Sequence, residues 1–251
     1  MKSTIKNFIK KIFDSYGFDI INKNQKIVEL SVKDNELINL IKDYSMTPKI
    51  RIYNLLQSLK KIKHKNIPGD YVECGVWKGG NILLIKKFLE NENIDNKKIY
   101  AFDTFEGMSE PDENDFDLSK NISASALLSK NKDKASHLWS VCSLEEVKKN
   151  LIKNLKNMND IYFIKGKVEE TLNVKQNIPD KISLLRLDTD WYSSTKKELE
   201  VLYEKVSPGG VIIIDDYGHW GGAKKAVDEF FKGKYVWMHY VDYACRLIIK
   251  E

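Results

Sequence analysis

The sequence predicts an α/β fold built on a mostly parallel, seven-stranded sheet with helices on both faces and a helical N-terminal extension. Three observations carry this. From residue 70 onward, short apolar runs alternate with segments of helical periodicity, the pattern of βα units. Runs such as "KISLLRLD" and "GVIIIDD" are apolar along nearly their whole length, as strands covered on both faces are. The final runs, "YVWMHY" and "ACRLIIK", follow each other across a tight turn and close the sheet as two more strands.

Taken in order, residues 1–69 form the extension. Its start spaces Ile5, Phe8, Ile9, Ile12 and Phe13 at helical intervals with lysines between them. Such a stripe is expected to pack on the domain or on a second subunit. A basic amphipathic helix on a membrane surface is the lesser alternative. Thr47-Pro48 marks a further helix start. The domain proper, 70–251, begins with a strand at 70–75 and a helix over 79–92. Strands follow at 98–103 and 160–166, then a short helix near "VEETL" and a strand at 181–188. A helix over 193–206 is stopped by Ser207-Pro208-Gly209-Gly210, ahead of a strand at 210–216 and a helix over 223–231. Residues 104–159 break this rhythm. They begin acidic and turn-rich, become rich in Ser, Ala and Lys, and end in an amphipathic helix from about Leu144. A connection this long is expected to act as a lid over substrate.

The bulk properties narrow the function. With 251 residues, the chain suits one large domain with an extension. Its net charge of +5 comes from lysines spread along the chain, because only Arg51, Arg186 and Arg246 are arginine. Recognition of nucleic acid favours clustered arginine with interleaved aromatics, so no nucleic-acid partner is expected. Cys74, Cys142 and Cys245 lie far apart and in no zinc-ligand spacing, which fits a reducing, cytoplasmic setting. No apolar run reaches transmembrane length, and the N-terminus lacks the features of a signal peptide.

The chemistry gathers where the strands end. In open parallel sheets ligands sit beyond the carboxyl ends of the strands, near the switch in strand order. The first strand ends in "ECGVWKGG", with Glu73, Gly75, Gly79 and Gly80, whose glycines permit a sharp turn and close approach to a ligand. The spacing is not the one that cradles a diphosphate. The second strand ends in Asp103, placed to accept the hydroxyls of a ribose. A nucleoside without diphosphate reads as S-adenosylmethionine, with NAD as the competing ligand. Two further strands bring Asp188, Asp190, Asp215 and Asp216 to the same edge. Carboxylates without His or Cys suit Mg²⁺ or Ca²⁺, which would neutralise acids that otherwise repel one another. Capping of helix N-termini explains one member of each pair but not all four. Such a cation can hold adjacent hydroxyls and lower the pKa of the one to be methylated. Asp188, as ligand and base, and His219 are the candidate catalytic residues, with Lys224 a weaker candidate.

These residues resemble the macrocin O-methyltransferase family of class I, Rossmann-like methyltransferases. The resemblance rests on "YVECGVWKGG" (71–80), "AFDTFEGMSEP" (101–111), "SLEEVKKNL" (143–151), "FIKGKVEETL" (163–172), "LLRLDTDWYSST" (184–195) and "VSPGGVIIIDDYG" (206–218), with "GAKKAVDEFF" after them. It implies methylation of a sugar hydroxyl dependent on S-adenosylmethionine and Mg²⁺. It further implies that Glu73, Gly75, Gly79, Asp103 and Thr104 hold the cofactor and that Asp188, Asp215 and Asp216 bind the metal. "MTPKIRIYNLL" (46–56) resembles the segment that folds over the cofactor, which adds Thr47 and Arg51. Related enzymes are dimers or larger, so a homo-oligomer is expected. The family usually has Gly-Asp-Leu-Tyr where this chain has Thr189-Asp190-Trp191-Tyr192, and often Ser at Thr104; neither change removes an acid. Residues 112–142 match poorly and are expected to set the acceptor. The lysine-rich composition points to a nucleotide-linked or surface-polysaccharide sugar. A catechol-like diol as acceptor, or a non-catalytic cofactor-binding scaffold, are the competing functions.

Overall fold

The computed structural model describes residues 2–18, 27–131 and 139–251, which fall into two compact units, Met1–Ser31 and Val32–Glu251. The first holds helix α1 (Lys2–Ser15) and the turn that ends it, where the Phe18 N–H donates to the Phe13 carbonyl and the two rings meet edge-on at 6.5 Å.

The second unit begins with α2 (Val32–Ile41) and α3 (Lys49–His64). Pro48 is the N-cap of α3, because its fixed φ suits the helix entrance and its missing N–H costs nothing there. The sheet follows as β1 (Asp70–Cys74), α4 (Gly80–Asn91) and β2 (Ile99–Asp103). Then comes the insertion with β3 (Phe116–Asp117), β4 (Ile122–Ser123), α5 (Ala124–Lys130) and α6 (Leu144–Ile152). The chain continues as β5 (Ile161–Lys165), α7 (Val168–Thr171), β6 (Ile182–Leu187), α8 (Tyr192–Leu202), β7 (Val206–Ile214), α9 (Gly221–Phe230), β8 (His239–Tyr240) and β9 (Arg246–Ile249).

Seven strands form one sheet in the order β5-β2-β1-β6-β7-β9-β8. The pairs from β5 to β7 are parallel, and β9 is antiparallel to both β7 and β8. The order reverses between β1 and β6, which is the switch point at which such sheets open a crevice. Every residue of β6 is buried, as a strand covered on both faces requires. The core joins Val72, Phe102, Leu185, Leu187, Ile212 and Ile214 of the strands to Leu199 and Val227 of α8 and α9. No helix among the described residues is long and apolar enough to cross a membrane.

Two details differ from the sequence reading. Residues Ser207–Gly210 do not merely stop a helix: α8 ends at Leu202, a 3-10 turn covers Tyr203–Lys205, and β7 already begins at Val206. Ile182 pairs with Val206 while Leu184 pairs with Val211, so three extra residues bulge out, with Gly209 at φ 80°. Pro208 has no ladder N–H to lose in a bulge, and glycine takes the left-handed turn. The insertion also carries a short antiparallel hairpin, β3–β4, that alternation could not reveal because each strand is two residues long.

Candidate functional site

The parallel pairing continues one residue past the strand ends and fixes the site. The Gly75 N–H donates to the Phe102 carbonyl, Asp188 N–H to Cys74, and Asp215 N–H to Leu187, each at 2.9 Å. Gly75, Asp188 and Asp215 therefore stand side by side at the switch point. Gly75 has φ 87°, and a Cβ there would lie 2.0 Å from the Asp188 carbonyl oxygen, so only glycine lets the two strand ends meet. Segment 44–48 crosses the N-terminus of α4 just as closely. The Gly80 N–H donates to the Tyr44 carbonyl, and a Cβ on Gly80 would strike Ser45 at 2.6 Å.

A cavity of about 400 Å³ opens there, lined among others by Thr47, Arg51, Gly75, Asn81, Asp188, Asp190, Asp215, Asp216 and His219. A smaller cavity, sharing Gly75 and Asp188 with it, is lined by Asp103, Thr104, Gly166 and Glu169. The predicted residues thus fall into one connected region, with two exceptions. Glu73 is buried beneath the floor rather than on the wall. Gly79 is the N-cap of α4 and faces Val147 and Leu151 of α6.

Asp103 has a task the sequence reading did not assign. One carboxylate oxygen accepts the N–H groups of Val76 (2.6 Å) and Trp77 (3.0 Å), and the other that of Phe105 (2.6 Å). It therefore shapes the glycine loop, and its remaining lone pairs are the ones open to a ribose. Thr104 donates to the Gly107 carbonyl (2.6 Å) and anchors the first turn of the insertion.

The acids are organised by a guanidinium. Arg186 sits inward on β6, 2% exposed, and donates to Glu73 (2.8 Å), Asp188 (2.7 Å), Asp215 (2.9 Å) and Thr47 Oγ1 (3.4 Å). Arg51 on α3 reaches the other oxygen of Asp215 (2.5 Å) and also Asp242 (2.7 Å). Sequence reasoning gave Arg186 no role, although an arginine inside the fully apolar run "LLRLD" was the available signal. Asn81, which joins Glu73 (3.1 Å) to Thr47 (3.2 Å), was missed as well.

This arrangement splits the acids electrostatically. Against the cost of burial, Arg186 and Arg51 hold the Asp215 carboxyl below its usual range. Burial pushes Asp188 well above that range, with Arg186 opposing and Asp215 and Asp216 adding to the rise. Burial and the charge of Asp188 raise Asp190 to about 7. Asp190 accepts a hydrogen bond from Trp220 Nε1 (2.9 Å) and stands at φ 70°. Burial, then Asp190 and Asp215, raise Asp216, and its buried Oδ2 has no hydrogen-bond partner. Asp188, Asp215 and Asp216 each offer an oxygen within 4.8 Å of the others. Hard ligands, excess negative charge and an orphaned carboxylate oxygen fit a small divalent cation.

His219 lines the cavity half-buried, in edge contact with Trp220 (4.7 Å) and Tyr243 (5.9 Å). Burial lowers its pKa, so it is neutral at neutral pH and able to accept a proton. Lys224 is paired instead with Asp228 and Tyr217, away from the cavity. The insertion is anchored beside the site: Asp115 caps α8 by accepting the Tyr192 N–H (2.8 Å), and Leu118 N–H donates to the His219 carbonyl (2.9 Å). Trp191 donates to the Ser109 carbonyl (2.9 Å) and packs edge-on against Trp220 at 5.0 Å.

A demethyldecarbamoylnovobiocin O-methyltransferase of Streptomyces niveus is 33% identical over 181 residues, 72% of this chain and 64% of that protein. An 8-demethyl-8-(2,3-dimethoxy-alpha-L-rhamnosyl)-tetracenomycin-C 4'-O-methyltransferase of Streptomyces olivaceus is 29% identical over 74% of this chain and 66% of its own. The chain thus spans just under two thirds of the length of these curated relatives. The solved structure of the O-methyltransferase NovP superposes with a TM-score of 0.70 at 29% identity, covering 82% of each chain. Residues 21–246 match the profile of the macrocin-O-methyltransferase (TylF) family, and the chain belongs to that family.

Proposed function

We propose that the chain is an S-adenosylmethionine-dependent, Mg²⁺-dependent O-methyltransferase acting on a sugar hydroxyl, of a nucleotide-linked or surface-polysaccharide sugar. The observation that carries this is the meeting, at one switch point, of a glycine loop shaped by Asp103 and a cluster of three carboxylates. S-adenosylmethionine would supply an activated methyl group, and a divalent cation held by Asp188, Asp215 and Asp216 would supply positive charge at the acceptor oxygen. The chain's own residues would do the rest. Thr47, Gly75 and Asn81 line the larger cavity over α4, and Asp103 with Thr104 lines the smaller cavity beside it. Arg186 and Arg51 hold Asp215 in one orientation, so that it needs no rearrangement when charge develops. His219 and Asp188 are the wall groups able to take the acceptor proton. Trp191, Trp220 and Met108 keep water from the reacting atoms. The described parts of the insertion, 104–131 and 139–159, would close over the acceptor, with Met108 and Ser140 already on the wall; residues 132–138 of that expected lid lie outside the described residues. The sugar class rests on the rhamnosyl acceptor in the name of one relative and on the chain's own composition.

The test is titration calorimetry with S-adenosylmethionine and S-adenosylhomocysteine, with and without Mg²⁺, on wild type and Asp216→Asn. Cofactor heat in both proteins with Mg²⁺ heat only in the wild type is expected. Absence of cofactor heat in the wild type would end the proposal. Methyl transfer to small catechols but to no nucleotide sugar would replace the acceptor class.

A further inference from the structure

Glu198 is a carboxyl that lines neither cavity. It is fully buried on the inward face of α8, and no cationic side chain among the described residues pairs with it. Its Oε1 accepts a hydrogen bond from Thr189 Oγ1 (2.9 Å), its Oε2 has no hydrogen-bond partner, and the buried Cys74 thiol at the end of β1 lies beside it. Burial pushes this carboxyl well above its usual range, against the bond from Thr189, so it is held neutral. An apolar side chain would be cheaper to bury there. What glutamate adds is an acceptor for Thr189, carried on a helix whose Leu199 and Leu202 are fully buried.

Thr189 opens a strained turn. Its carbonyl accepts the Trp191 N–H (2.8 Å), which closes a three-residue turn around Asp190 at φ 70°. This is the rare γ-turn of positive φ, which a side-chain-bearing residue keeps only where its surroundings fix it. Three side-chain bonds do so: Thr189 is held by Glu198, Asp190 by Trp220 Nε1 (2.9 Å) and Trp191 Nε1 by the Ser109 carbonyl (2.9 Å). Thr189 directly follows Asp188, whose own N–H is tied to the Cys74 carbonyl at 2.9 Å.

We propose that Glu198 is a positioning residue: as the acceptor for Thr189 it braces the strained turn at Asp190 and thereby fixes Asp188 and Asp190 on the cavity wall. Its service to a cation rests on the reading given above, in which Asp188 is a ligand; the brace itself does not. Groups that orient a metal ligand alter affinity when removed, although they touch no metal.

The experiment compares Glu198→Gln, Glu198→Leu, Thr189→Ser and Thr189→Val with wild type, all as the full chain. The readouts are thermal melting, titration calorimetry with Mg²⁺, and ¹H–¹⁵N spectra of metal-free protein. The Trp191 and Trp220 indole N–H signals are assigned from Trp191→Phe and Trp220→Phe. Glu198→Gln and Thr189→Ser keep the bond and should behave as wild type. Glu198→Leu and Thr189→Val remove it; both should move the Trp220 signal upfield, speed its exchange with solvent and weaken Mg²⁺ binding about 10–100-fold. Glu198→Leu should melt no lower than wild type, because an apolar side chain replaces a buried acid, which separates bracing from folding. If Glu198→Leu fails to fold, Thr189→Val, at a half-buried position, carries the same test. A Trp220 signal unmoved in the variants that remove the bond would overturn the proposal, whatever the Mg²⁺ heat. So would equal losses in Glu198→Gln and Glu198→Leu, because the hydrogen bond would then not be the cause. A moved Trp220 signal in a protein whose wild type gives no Mg²⁺ heat would uphold the brace and refute the cation site instead.

Discussion

Replacing Arg186 with methionine tests whether the acid cluster depends on its guanidinium. The change keeps an unbranched stem, shorter than that of arginine, and removes donors to Glu73, Asp188, Asp215 and Thr47. Deleting one member of a buried ion pair costs about 3–5 kcal/mol, because the partner stays buried without compensation. Three carboxylates lose a partner here, but two reliefs limit the loss. Asp215 keeps Arg51, and Glu73, already raised to about 6 by burial despite Arg186, can take up a proton. The single-pair range therefore applies. For a domain of this size each kcal/mol moves the melting temperature by about 2–4 °C, so Arg186→Met should melt roughly 6–20 °C below wild type at pH 7. The assay is thermal unfolding followed by circular dichroism, with Glu73→Gln/Arg186→Met alongside. The double variant should regain part of the loss, because an amide is cheaper to bury than an unpaired carboxylate. A shift below about 3 °C, or a double variant no more stable than the single one, would refute the reasoning.

Two further outcomes follow from the same geometry. The folded pKa of Glu73, about 6, lies above its ordinary 4.5, so the folded state holds a proton that the unfolded chain has released. That stabilisation is complete below about pH 4.5 and gone above about 6, a loss of roughly 2 kcal/mol that Glu73→Gln should flatten in urea melts of metal-free protein. A stability rising with pH across that window in the wild type would contradict it. Gly75→Ala would push a Cβ into the Asp188 carbonyl at φ 87°; it should cost roughly 3–5 kcal/mol and abolish cofactor heat, and a variant melting with wild type would show that the strand ends are not held as described.

How much of this was legible in the sequence differs by element. The strands were readable because burial on both faces makes "LLRLD" and "VIIID" apolar without alternation, and the acids were readable because aspartate has no place in such a run. The role of Arg186 was not, since an inward arginine signals only that a partner exists. Its partners Glu73, Asp188 and Asp215 come from three strands that only the fold brings together. The hairpin β3–β4 was hidden because its stability lies in tertiary pairing: the backbone of Asp117 bridges to Trp220 rather than extending a strand of its own. The bulge in β7 was hidden for a different reason. Ser-Pro-Gly-Gly has the composition of a turn, and only the pairing of Ile182 with Val206, on the far side of the register shift, makes it part of the sheet.

The Arg51–Asp242 pair has a consequence for the order of assembly. Its members are 191 positions apart, and Arg51 also holds Asp215. During synthesis β1, β2 and β6 can pair while Asp242 is still to be made, but Arg51 then lacks one of its two anions. The wall formed by segment 44–48, Arg51 and Tyr243 is completed only when the stretch leading into β9 arrives. A contact of such long range forms late, after loop entropy has been overcome by the sheet. Chains ending before Asp242 would therefore collect as sheet-containing species with an open cavity, so competence to bind ligand would follow the synthesis of the stretch around Asp242.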